Sequence, residues 1–220
     1  MSMLQPDTLQ FLRDLTAHND KPWFEANKPR YETAKKNVED IVTKILEGCA
    51  AFEPALADLK AKQCVFRIYR DVRFSKNKDP YKNNMGAWFN KGGKKAPFAG
   101  YYLHIEPGNS FLAGGLYMPE SAILKNVRQE IDYNADEFKG ILSSPKFKKT
   151  FGGLTDHKLK TTPKGYDKEH PEIETLKQTS FVVSKQFTDN ELLDAKFAQK
   201  AVEVFQTLHP FNTFLNRSFD

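Results

Sequence analysis

Phe98-Ala-Gly-Tyr-Tyr-Leu-His-Ile-Glu-Pro-Gly-Asn-Ser-Phe-Leu-Ala-Gly-Gly-Leu-Tyr117 decides the fold. Residues 98–106 and 110–117 read as two strands, and Pro107-Gly108-Asn109 between them is turn chemistry. A connection this short forces an antiparallel pair, because parallel neighbours need a long crossover. Side chains alternate across a strand, so Tyr102, His104 and Glu106 share one face while Tyr101, Leu103 and Ile105 take the other.

Upstream, Met85–Phe89 reads as a further strand, and Asn90-Lys91-Gly92-Gly93-Lys94-Lys95 as a basic hairpin tip. Val65 to Phe74 is also close to period two and predicts a strand with Phe66, Ile68, Val72 and Phe74 facing inward. Arg67, Tyr69, Asp71 and Arg73 then face the other way. Arg70 falls on the apolar parity and needs a buried carboxylate or a bulge. Downstream, Phe181–Phe187 could add a strand.

Helical periodicity brackets this region. A first helix opens at Pro6-Asp7 with Asp7 as its cap, and a longer one starts near Pro22 and is kinked or split by Pro29. Others run from Pro119-Glu120 through Phe138, around Lys146–Phe151, and from Asp189 or Asn190 through Phe205. Gly152–Pro171 is long for a structureless loop, which marks it as a candidate functional segment. The predicted fold class is α+β, an antiparallel meander sheet flanked by helices in a single domain over residues 1–220.

The bulk properties exclude little. Net charge is +5, which favours anionic partners but is also ordinary solubility charge. Apolar runs are far too short to span a bilayer, so a membrane partner is not expected. The two cysteines, Cys49 and Cys64, fit no metal or redox spacing, and buried reduced thiols imply a cytoplasmic setting. No Walker lysine, nucleophile elbow or dinucleotide fingerprint is present, no metal cluster is evident, and the cofactor, if any, is unknown from the sequence. The oligomeric state is not legible.

The chemistry concentrates in Phe66–Lys82, FRIYRDVRFSKNKDPYK. If its polar face and that of residues 102–106 look the same way, they line one groove. Arg67, Tyr69, Arg70, Arg73, Lys76, Lys82 and Tyr102 are the candidate ligand-binding residues, for an anionic small molecule or a nucleic acid. The candidate catalytic group is His104 as acid/base with Asp71 or Glu106 as its orienter, giving a hydrolase or transferase reading. Against both stands the plain alternative of a solvated strand face with cross-strand charge pairs.

The blocks FRIYRDVRFSKNKDPYK, GYYLHIEPGNSFLAGGLYMP and PKGYDKEHP resemble those of an uncharacterised, mainly bacterial family, domain of unknown function 2461. The resemblance runs from the first helix to the last. It departs at Asn77, Asp79 and Asn83-Asn84, within and beside the Lys-rich loop. It implies a cytoplasmic α+β protein and supplies no activity, substrate or cofactor.

Overall fold

The computed structural model describes residues 3–219. The strands β1 (Met85–Phe89), β2 (Gly100–Ile105), β3 (Ser110–Leu116) and β4 (Phe181–Phe187) form one antiparallel sheet in the order β1-β2-β3-β4. Asn109 N–H donates to the Glu106 carbonyl at 3.0 Å, and Gly108 sits at φ 75°. Proline then glycine at the turn centre is the type II pattern, which needs a positive φ at its third position. That turn sets the β2–β3 register, pairing His104 with Phe111, while β1 places Gly86 on the other side of His104.

Helices α1 (Pro6–Ala17), α2 (Lys21–Ala26), α3 (Lys28–Cys49) and α4 (Ala61–Cys64) precede the sheet. Between β3 and β4 lie α5 (Ser121–Tyr133), α6 (Ala135–Ser143), α7 (Pro145–Phe151) and α8 (Ile173–Leu176). The chain closes with α9 (Asp189–Leu192) and α10 (Phe197–Asn216). α3 and α10 pack together and against one sheet face. Phe205 of α10 sits edge-on to Phe89 and Tyr101 at 5.5 and 5.1 Å. Gly114 permits that approach, because a Cβ there would overlap the Leu208 side chain. Tyr101, Leu103 and Ile105 are buried in this core, as their parity requires. Cys49 and Cys64 are buried and unbridged.

Several boundaries differ from expectation. Pro29 does split the second helix, and Asp20 caps α2 by accepting from Trp23 N–H at 2.9 Å. Asp7 lies inside the first turn of α1, after Gln5, rather than capping it. The helix expected through Phe138 breaks at Asn134, which ends α5 and starts α6. Thr188, not Asp189 or Asn190, caps α9 in a reciprocal box with Glu191, and α10 is a separate helix. Trp88, an aromatic that would be expected to pack in the core, does not do so. It stands half-buried on the sheet face away from α10.

The largest correction concerns residues 65–74, which form no strand. Only two bridges anchor them, Val65 to Ala87 and Tyr69 to Tyr81. Arg70 N–H donates to the Pro80 carbonyl at 2.9 Å, but proline has no N–H to return to Arg70, so the ladder ends there. Ile68 alone of the expected inward set is fully buried, while Phe66 is 37% and Phe74 95% exposed. Among the described residues, no helix is long and apolar enough to cross a membrane.

Candidate functional site

The outward face of β2 carries a hydrogen-bonded row. The Tyr102 hydroxyl lies 2.9 Å from His104 Nδ1, and His104 Nε2 lies 3.0 Å from Glu106 Oε2. A carboxylate only accepts, so Nε2 carries a proton, and in the neutral imidazole Nδ1 then accepts from the Tyr102 hydroxyl. Glu106 is itself fixed. Its carboxylate also accepts from Asn83 and Asn109, and its backbone N–H donates to the Ser110 hydroxyl. His104 is only 9% exposed and stacks on Phe111 of β3 with ring centres 4.5 Å apart. On its other side the register places Gly86, and the Tyr102 ring end occupies the room a side chain there would need. Burial first, and the nearby Glu106 charge second, push the Tyr102 phenol up to about 12.

Beside this row lies a cationic edge. Phe66 N–H donates to the Gly86 carbonyl, which turns the neighbouring Val65 and Arg67 carbonyls outward. Lys94 Nζ donates to the first and Lys82 Nζ to the second, each at 2.9 Å. Both ammoniums lie near the same half-exposed ring, 5.2 and 5.4 Å from the centre of Phe66. Phe66 in turn meets Tyr102 edge-on at 6.4 Å. Among the described residues, Arg67, Lys82 and Lys94 form no salt bridge, whereas Arg73, Arg13 and Arg30 each do. Burial, then the positive charges of Arg67 and Lys94, hold Lys82 below the ordinary lysine range.

Tyr102, His104 and Glu106 therefore come together, with Arg67 and Lys82 at their border. Asp71, Arg73, Arg70, Tyr69 and Lys76 do not join them. Arg73 grips Asp71 through two hydrogen bonds of 2.7 and 3.0 Å, both side chains being well exposed. That pairing lowers the Asp71 carboxyl and holds the Arg73 guanidinium in its charged form. Asp71 thus does not orient His104, and Glu106 does. Arg70 donates to the Asp79 carbonyl and the Ser75 hydroxyl, so it needs neither the buried carboxylate nor the bulge. Tyr69 packs on Tyr81 and Phe24, and Lys76 is exposed on the loop. The cause is again the lost strand: without alternation, these side chains share no face.

Sequence reasoning missed Lys94, Phe66 and Phe111 as part of the site. Lys94 belongs to the basic hairpin tip, which reads as a solvated turn that could touch nucleic-acid phosphates and gives no sign of its bond to the Val65 carbonyl. Phe66 shares an edge with β1, so its ring turns to the outward face instead of the core. Phe111 could have been paired with His104 from the two-residue turn alone. Among the described residues, no group of three or more His, Cys, Asp or Glu side chains is placed to hold a metal ion.

These features define a helix-flanked α+β protein whose sheet has one core face and one outward face of aromatic and polar groups. The chain belongs to the family described as conserved hypothetical protein (DUF2461), whose profile matches residues 7–214. No curated protein and no solved structure matches it.

Proposed function

We propose that the protein binds a phosphate-bearing anion at the edge formed by Arg67, Lys82 and Lys94. The observation that carries this reading is the gathering of three cations that form no salt bridge among the described residues: Lys82 and Lys94 beside the Phe66 ring, and Arg67 close enough to disfavour the charge on Lys82, although Asp71 also feels it. Like charges held together cost stability unless a counter-charge joins them. Capping an exposed sheet edge is the competing explanation, and lysines serve that purpose well. It accounts for one donor on each ammonium, however, and each has three. It does not account for Arg67 standing there as well.

Thermal shift with phosphate, pyrophosphate, nucleotides and short oligonucleotides tests the proposal. Saturation at about one hundred times Kd stabilises by about 2.7 kcal/mol. For a chain of this length that is a rise of roughly 5–10 °C. The Lys82→Met, Lys94→Met double variant should lose the response, and Arg73→Ala should keep it. A wild type that no anion shifts, or a double variant that responds unchanged, overturns the reading.

A second reading rests on the row Tyr102–His104–Glu106, whose spacing of 2.9 and 3.0 Å suits proton transfer. A hydrolase or transferase of this kind would meet its phosphate- or carboxylate-bearing substrate through the Tyr102 hydroxyl, because both His104 nitrogens are engaged. An activity retained in His104→Gln would remove the row from the mechanism.

A further inference from the structure

We infer that the anion is single-stranded nucleic acid, its phosphates at Arg67, Lys82 and Lys94 and its bases stacked on the outward sheet face. This inference rests on the anion-binding reading above. The observation that extends it is a continuous strip of rings leading away from the cations. Phe66 touches Tyr102 at 6.4 Å, Tyr102 touches Phe111 at 5.8 Å, and Phe111 lies on His104 at 4.5 Å. Trp88 stands directly opposite Tyr102 on β1. Phe66 is 37% exposed, and Trp88, Tyr102 and Phe111 are each half-buried, so ring surface still meets solvent.

The dimensions suit a short run of nucleotides. Phe66 and Phe111 lie on segments three strand spacings apart, and by way of Tyr102 their ring centres are no more than about 12 Å from one another. Antiparallel sheets that stack bases on outward aromatics hold two or three of them over such a span. Rings give stacking without sequence demands, since every base has a flat face, while cations beside them track the backbone. A free phosphate would use the cations and leave the rings idle. A duplex would hide its bases from the rings altogether. The alternative, in which the rings merely pair across strands, predicts no ligand on them.

The test is fluorescence anisotropy with a labelled oligothymidylate of about twelve nucleotides, an abasic chain of equal length, and polyphosphate. Base-bearing chain should bind about tenfold or more tighter than abasic chain, because each stacked base contributes separately. Three phosphate contacts give a log–log salt slope of about −2, so affinity should fall roughly twentyfold from ~50 to ~200 mM salt. Phe66→Ala should erase the preference for bases, and Phe66→Tyr, which keeps a ring, should preserve it. If abasic chain and polyphosphate bind as tightly as the base-bearing chain, the stacking inference fails and the anion site stands. If none of the three binds, both fall. A base preference that Phe66→Ala leaves intact overturns the strip.

Discussion

Gly86→Ala puts the sharpest strain on the outward face. An ideal Cβ at residue 86 would lie 2.6 Å from the Tyr102 hydroxyl oxygen and 3.0 and 3.1 Å from the ring atoms behind it, where ordinary contacts begin at 3.4 Å. The ring end must therefore retreat by nearly ~1 Å, enough to stretch its 2.9 Å hydrogen bond to His104. Overpacking of this kind costs about 1–3 kcal/mol. A lost hydrogen bond adds about 1 kcal/mol. Replacing glycine within a strand returns about 0.5–1 kcal/mol of backbone entropy. The net expectation is a loss of about 1–3.5 kcal/mol, read as a lower urea midpoint at unchanged m. The same substitution in a Tyr102→Phe background should be at least ~0.5 kcal/mol milder, since the closest atom and the hydrogen bond are already gone. Equal penalties in both backgrounds would show that Gly86 and the Tyr102 hydroxyl are not coupled, and the described packing of this face would be wrong.

Two further outcomes follow from the same contacts. Lys82 titrates below the ordinary lysine range in the folded chain, so its charged form opposes folding at neutral pH, and that opposition lifts as pH rises through the folded pKa towards the unfolded value. Lys82→Met should accordingly raise the melting temperature while weakening anion binding, and wild-type anion affinity should decline with pH at values too low for an ordinary lysine. A melting temperature lowered by Lys82→Met would refute the repulsion. Gly114→Ala drives a Cβ into Leu208 and to 2.5 Å from the Gly100 carbonyl, which cannot rotate away, so a loss of about 3 kcal/mol is expected by urea denaturation.

What was legible in the sequence was what local periodicity encodes. The strands at 85–89, 100–105, 110–116 and 181–187 combine alternation with turn residues, and the grouping of Tyr102, His104 and Glu106 follows from parity alone. Residues 65–74 alternate just as well, yet strand pairing needs a partner with free N–H groups, and Pro80 lacks one. The break at Asn134 escaped for a related reason. Asparagine there carries no compulsory backbone signal, and its side chain instead bonds back to Glu130. The cationic edge could not be read because its members come from three separate segments, around residues 67, 82 and 94, brought together by tertiary packing.

The charge on that edge has a structural origin in the neighbouring network. Glu106, just after β2, is linked to the segment beside Lys82 through Asn83, but its oxygens are taken by Asn83, His104 and Asn109. Asp71, the acid closest in sequence to Arg67, is held by Arg73. Asp79, three residues before Lys82, accepts from the Asn77 side chain, so each of these three carboxylates is turned towards another donor. A surface shaped for stability alone would gain by releasing one of them. Freeing Glu106 with His104→Leu, Asn83→Ala and Asn109→Ala together would give the lysines an internal counter-ion. If the edge serves an external anion, that variant should stay folded and bind it less tightly; undiminished binding would mean the acid cannot reach the lysines and their lack of a partner is a matter of distance.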